Sequence, residues 1–210
     1  MRNNLLKEEK YFIYIASLAF LFLFSCKTET KTEVAFNNKV LTNNDLLEHS
    51  KEFEEQIIKV TDNIYVAVGF GLANSILIEG KDGVVIVDCL ESEKTASRVK
   101  EAFNKITTKP VKAIIYTHFH PDHTFGAKTM AGDDNPKIYA HSTTQAHIEK
   151  LVNVIRPIIT KRSYRMFGNF LNQEELVNAG IGPFLGLDEE VRWGVLQPTH
   201  TFEDELTIEE

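Results

Sequence analysis

From residue 56 onward the hydrophobic positions fall into short alternating or continuous apolar runs bounded by turn signals. Ile57–Val60 and Ile64–Phe70 are rich in β-branched residues. Ala73–Glu79 is set to pair with Val84–Val87 across the loop Gly80-Lys81-Asp82-Gly83, so the chain opens as a β-meander. The period then changes. Ser92–Lys105 places Ala96, Val99 and Phe103 on one helical face, with Ile106 just beyond. Val111–Tyr116 returns as a buried strand and Lys137–Ala140 reads as a shorter one. Leu46–Ile58 has helix-like intervals among many charges, which predicts a surface helix. Leu151–Leu171 predicts a helix interrupted at Pro157, and Leu206–Glu210 predicts a last strand.

The first 45 residues follow neither pattern. Arg2, Lys7 and Lys10 precede an uncharged run from Tyr11 to Ser25, too short to span a bilayer comfortably, which ends Leu23-Phe24-Ser25-Cys26. This is the layout of a bacterial lipoprotein signal: residues 1–25 are removed and Cys26 becomes the lipidated first residue. The alternative is a plain signal peptide or short membrane anchor with an incidental cysteine. Residues 27–45 are rich in Thr, Lys, Glu and Asn and read as a polar tether. The expectation is a protein of the cell envelope, held by lipid and facing the periplasm or the exterior.

Charge and cysteines narrow the partners. A formal charge of −7 without a basic run argues against nucleic acid. Cys89 is the only cysteine besides Cys26, and it is expected to be a small core residue.

The densest chemistry lies in Thr117-His118-Phe119-His120-Pro121-Asp122-His123, directly after the Val111–Tyr116 strand. Alternate residues of an extended chain share a face, so His118 and His120 can aim at one point. Pro121 turns the chain, and Asp122 and His123 fall at a helix start, where they suit a second ion. Imidazole and carboxylate donors favour zinc, with manganese or iron as alternatives. Asp122 is also the candidate catalytic residue. His141 and His147 are expected to be structural. The cluster Lys161-Arg162-Ser163-Tyr164-Arg165 reads as a solvated face or as a steering patch for an anion.

With H-x-H-x-D-H at a strand end, the chain resembles the metallo-β-lactamase superfamily, and within it the bacterial alkyl sulfatases. The wider likeness lies in Val60–Tyr65, Gly69–Asn74, Ile78–Gly80, Val87-Asp88, Val111–His118, Tyr164–Asn169 and Ala179–Pro183. Phe119, Pro121 and Gly71 depart from the usual wording. The resemblance implies an α/β fold, the N-terminal part of an αββα sandwich, over residues 46–210. It implies two zinc ions, one on His118 and His120 and the other on Asp122 and His123. Asp88 would orient the metal loop from behind, its alternative role being a cap of the following helix. The implied substrate is an alkyl sulfate ester, and the implied assembly of the longer protein is a homodimer.

The extra ligands that the resemblance implies would lie beyond Glu210, so the 210 residues are expected to be a fragment with an apolar sheet face exposed. Two rival readings stand beside the sulfatase. One is another hydrolase of the superfamily, acting on lactams, lactones or thioesters. The other is a non-catalytic lipoprotein binding module.

Overall fold

Strands form where β-branched residues run between turns, and seven of them join into one mixed sheet in the order β1-β2-β3-β4-β5-β6-β7. They are β1 (Gln56–Lys59), β2 (Ile64–Val68), β3 (Ser75–Glu79), β4 (Val84–Val87), β5 (Val111–Ile115), β6 (Lys137–His141) and β7 (His200–Phe202). The computed structural model describes residues 44–163, 166, 177–183 and 192–208. All of these belong to one compact unit, Leu41–Glu210. The signal segment and most of the tether lie outside the described residues, as do Tyr164, Arg165 and the Phe167–Asn169 phrase. Among the described residues no helix is long and apolar enough to cross a membrane.

The first four strands are antiparallel, and the β3–β4 hairpin closes where the Gly80 amide donates to the Gly83 carbonyl at 2.8 Å. β4, β5, β6 and β7 pair in parallel, so each junction needs a crossover. Helix α2 (Glu93–Asn104) supplies the first, after α1 (Asn44–Ser50) has led into the sheet. Ser92 caps α2 by accepting the Thr95 amide, which leaves the cap role closed to Asp88. Helices α3 (Pro121–Thr124), α4 (Ala127–Ala131), α5 (Thr144–Lys150) and α6 (Arg156–Ser163) follow.

The two faces of the sheet differ. Ala67, Leu77, Val84, Ile86 and Ile114 are buried in one cluster with Ala96, Val99 and Phe103 of α2 and Ala127 and Met130 of α4. On the opposite face Ile64, Val66, Ile76, Ile78, Val85, Val87 and Ile115 are half-buried. Register keeps them together: Val66 lies opposite Ile76, Ile76 opposite Val87, and Val87 beside Ile115. That face is continuous and apolar.

Three expectations are corrected. The surface helix ends at Ser50, and Gln56–Ile58 belong to β1, because their partners in β2 offer a ladder that a short charged helix cannot match. Pro157 does not interrupt its helix: residues 151–155 widen into a π-turn, which accommodates a residue that cannot donate to a carbonyl four positions back. Among the described residues the last strand is His200–Phe202; Glu209 and Glu210 of the expected Leu206–Glu210 strand lie outside them. Residues 205–208 have no regular structure, and the pairing with β6 is completed upstream of them.

Candidate metal centre

The sheet delivers the motif. β4 and β5 end side by side, with the Asp88 amide donating to the Ile115 carbonyl at 3.0 Å, so Asp88 stands next to Thr117. Asp88 adopts φ 61° and Leu90 φ 63°. A non-glycine residue in that region costs about 1–3 kcal/mol and persists only when its surroundings fix it. Complete burial of Leu90 and the bond from the Ser75 hydroxyl to the Asp88 carbonyl, 2.7 Å, do so here.

Turning the backbone there points the Asp88 carboxylate into the loop. Its Oδ1 accepts the Thr117 amide at 2.9 Å, and its Oδ2 accepts the Thr117 hydroxyl at 2.7 Å. The same Oδ2 lies 2.7 Å from His123 Nδ1. One buried carboxylate therefore holds both arms of the motif. Thr117 Oγ1 also lies 3.1 Å from His118 Nδ1. Because its only proton goes to Asp88, it accepts from His118, whose Nε2 is left with its lone pair. Sequence reasoning assigned Thr117 no role. Its position directly before the first histidine was the available signal.

The donors meet in pairs. His118 Nε2 lies 3.0 Å from His120 Nδ1, and His123 Nε2 lies 3.3 Å from Asp122 Oδ2. The rings of His118 and His123 are 4.0 Å apart, which brings the two pairs side by side. Among the described residues no three His, Cys, Asp or Glu side chains are grouped so as to hold one ion. The donor types, imidazole and carboxylate, fit a divalent cation of the zinc type.

Electrostatics follow the geometry. Burial disfavours charge on His123, but its bonds to Asp122 and Asp88 outweigh burial and raise it to about 9. Burial pushes the Asp122 carboxyl up, yet His123, by bond and by charge, holds it below its usual value. His118 is lowered, first by burial and then by the neighbouring imidazoles. Burial also raises the Cys89 thiol, which is fully enclosed and belongs to the core.

The unusual residues of the loop each have a local reason. Pro121 is the first residue of α3, where its fixed φ suits a helix start. Phe119 stacks on His147 with ring centres 4.7 Å apart. That stacking brings His147 against the loop that carries the motif. At Gly71 an added Cβ would sit 2.5 Å from the buried Glu91 carboxyl group, so an Asp there would meet a clash. His141 bonds through Nδ1 to the Thr143 hydroxyl at 2.8 Å and to its amide at 3.2 Å, a local turn contact. Lys161 and Arg162 are exposed at the end of α6.

Residues 68–199 match the family described as the metallo-beta-lactamase superfamily. A linear primary-alkylsulfatase of Pseudomonas sp. is 39% identical over 137 residues, 62% of this chain and 25% of the relative. A second one, also from Pseudomonas sp., is 33% identical over 132 residues, 60% of this chain and 20% of the relative. The chain thus spans about a quarter or less of the length of these relatives. Among solved structures, a double mutant of the sec-alkyl sulfatase PisA1 superposes with a TM-score of 0.68 at 22% identity, covering 77% of this chain and 27% of that one. It is alike in fold.

Proposed function

Given that the chain belongs to the metallo-β-lactamase superfamily, we propose that it is the metal-holding part of a hydrolase that cleaves alkyl sulfate esters to alcohol and sulfate. One observation carries the reading: the Asp88 carboxylate binds Thr117 and His123 together, setting His118, His120, Asp122 and His123 as two adjacent donor pairs. The substrate class comes from the two primary-alkylsulfatases matched over more than half of the chain.

His118 and His120 would hold one ion, and Asp122 and His123 the other. What such ions supply when bound is a water of lowered pKa and stabilisation of charge on the leaving group. The chain itself orients the donors. Asp88 keeps His123 Nδ1 occupied, so Nε2 is the nitrogen presented to a ligand, and Thr117 does the same for His118. Asp122, 3.3 Å from His123 Nε2, would serve as a ligand and as the catalytic carboxylate. Further donors would come from residues of a longer protein, and that protein would form the homodimer.

A non-catalytic binding role is the second reading, favoured by the pairing of donors in twos. Elemental analysis of a purified protein spanning the relatives' length, with sulfate release from dodecyl sulfate measured in the same sample, separates the two. The sulfatase reading expects a longer protein spanning the relatives' length to carry two metals and release sulfate. A metal-loaded protein of that length that leaves dodecyl sulfate intact while cleaving a lactam, lactone or thioester overturns it.

A further inference from the structure

Helix α3 is four residues long, far too short to hold its own geometry in water. Asp122 and His123 therefore stay in place only because other segments clamp α3 on both sides. On one side the loop after β4 does so: the Cys89 amide donates to the His123 carbonyl at 2.8 Å, and the Gly126 amide donates to the Leu90 carbonyl at 3.0 Å. On the other side lies a strap formed by residues 192–196. The Arg192 carbonyl accepts from the Glu93 amide at 2.9 Å, which ties the strap to the start of α2. Gly194 donates to the Phe125 carbonyl at 2.7 Å and accepts from the Lys128 amide at 2.8 Å, bridging the end of α3 and the start of α4. The Leu196 carbonyl receives the buried Tyr116 hydroxyl at 2.9 Å.

Between these bonds sits Trp193, the only tryptophan of the chain. Its ring stacks on Phe125, centres 4.6 Å apart and planes 17° from parallel, and the Arg156 guanidinium lies 5.6 Å from the same ring. Phe125 is two residues beyond His123. Trp193 is 37% exposed, so its buried part is the face laid against Phe125 and the strap, and the stacking adds to that burial a fixed geometry for Phe125. The strap also needs Gly194: a Cβ there would approach the Lys128 Cβ to 2.6 Å and push the strap off the loop.

We propose that Trp193 is a positioning residue for the Asp122–His123 pair, acting through Phe125, and that the strap of residues 192–196 is the outer clamp of the metal loop. Its consequence for metal rests on the functional reading above, whereas the clamp itself is a property of the metal-free chain.

The test compares wild type, Trp193→Ala, Trp193→Leu and Trp193→Phe in the full chain. Cobalt(II) affinity is read by competition with a chromophoric chelator, folding by a far-UV melt, and the His123 imidazole by nitrogen–proton correlation NMR at fixed pH without metal. Trp193→Ala and Trp193→Leu are expected to remain folded, to bind cobalt on the order of ten-fold more weakly, and to shift the His123 resonance towards that of a solvent-exposed histidine. Trp193→Phe restores both. If Trp193→Ala does not fold, Trp193→Leu, which keeps apolar bulk without the stack, decides. A folded Trp193→Leu with wild-type affinity and an unmoved His123 signal overturns the proposal. Should the wild-type chain bind no cobalt, the metal reading fails for this chain, and the imidazole comparison alone still decides the clamp.

Discussion

At the scale of single residues, Asp88 matters most, because three donors converge on its carboxylate and none of the three has another partner of equal strength on that side. Asp88→Asn keeps the shape but replaces one acceptor oxygen with an N–H₂ that faces a donor. Metal affinity is expected to fall by about 10- to 100-fold with little change in the far-UV spectrum. Equilibrium dialysis of zinc against both proteins checks this; equal affinity would remove Asp88 from the site.

His123 carries a pH dependence whose sign follows from its neighbours. Its folded value, raised to about 9 from the usual 6.5, means that the metal-free folded state binds its proton more tightly than the unfolded chain does. The stabilisation is complete below 6.5 and is lost as pH rises through about 9. Urea titrations of the metal-free chain at closely spaced pH values should show stability falling across that window, and His123→Gln should flatten the fall. A wild-type profile that is flat or rising there contradicts the Asp88–His123–Asp122 arrangement.

At the scale of elements, the sheet is loaded unequally. Leu77 is 2% exposed and packs under α2, while its neighbour Ile76 points to the half-buried face. Leu77→Ala removes buried contacts and leaves a cavity, at a cost of about 2–5 kcal/mol. Ile76→Ala loses less contact and should cost about half as much or less. Chemical denaturation of both variants measures the difference, and equal losses would mean that the second face is as well covered as the first.

The helical elements show how much position comes from elsewhere. α3 and α4 were legible as a turn and a helix after Pro121, but their separation at Phe125 and Gly126 was not. At Gly126 an added Cβ would lie 2.0 Å from the Cys89 carbonyl and 2.6 Å from the Ala96 Cβ. Small residues at Gly126 and Ala127 suit a helix packed close to the loop, but that Cys89 and Ala96 are what Gly126 approaches is a tertiary fact, invisible in the spacing of residues.

At the scale of the whole molecule, the described unit begins at Asn44 and the chain before it is expected to serve as signal and tether. If Cys26 is lipidated, Cys26→Ser should move the protein from the membrane fraction to the soluble envelope fraction without changing the melt of the folded unit. Fractionation of cells that produce both forms tests this, and unchanged membrane association of the variant would sink the lipid anchor. The half-buried sheet face, a row of β-branched residues held together by register, belongs to this scale as well.

Strands β1 to β6, the α2 helix and the clustering of the H-x-H-x-D-H side chains were legible along the chain because each depends on local period: alternation for strands, three-and-four spacing for Ala96, Val99 and Phe103, and near-consecutive positions for His118, His120, Asp122 and His123. Asp88 was legible as a second-layer carboxylate only through resemblance. Nothing local distinguishes it from a helix cap until Ser92 is seen to hold that place. Tertiary structure alone decided the rest. It made a strand of His200–Phe202, since three residues hold as a strand only where β6 offers them an edge to pair with. It also brought Arg192–Leu196 across the loop that carries the motif. Those outcomes rest on contacts between residues dozens of positions apart, whose energies no local pattern encodes.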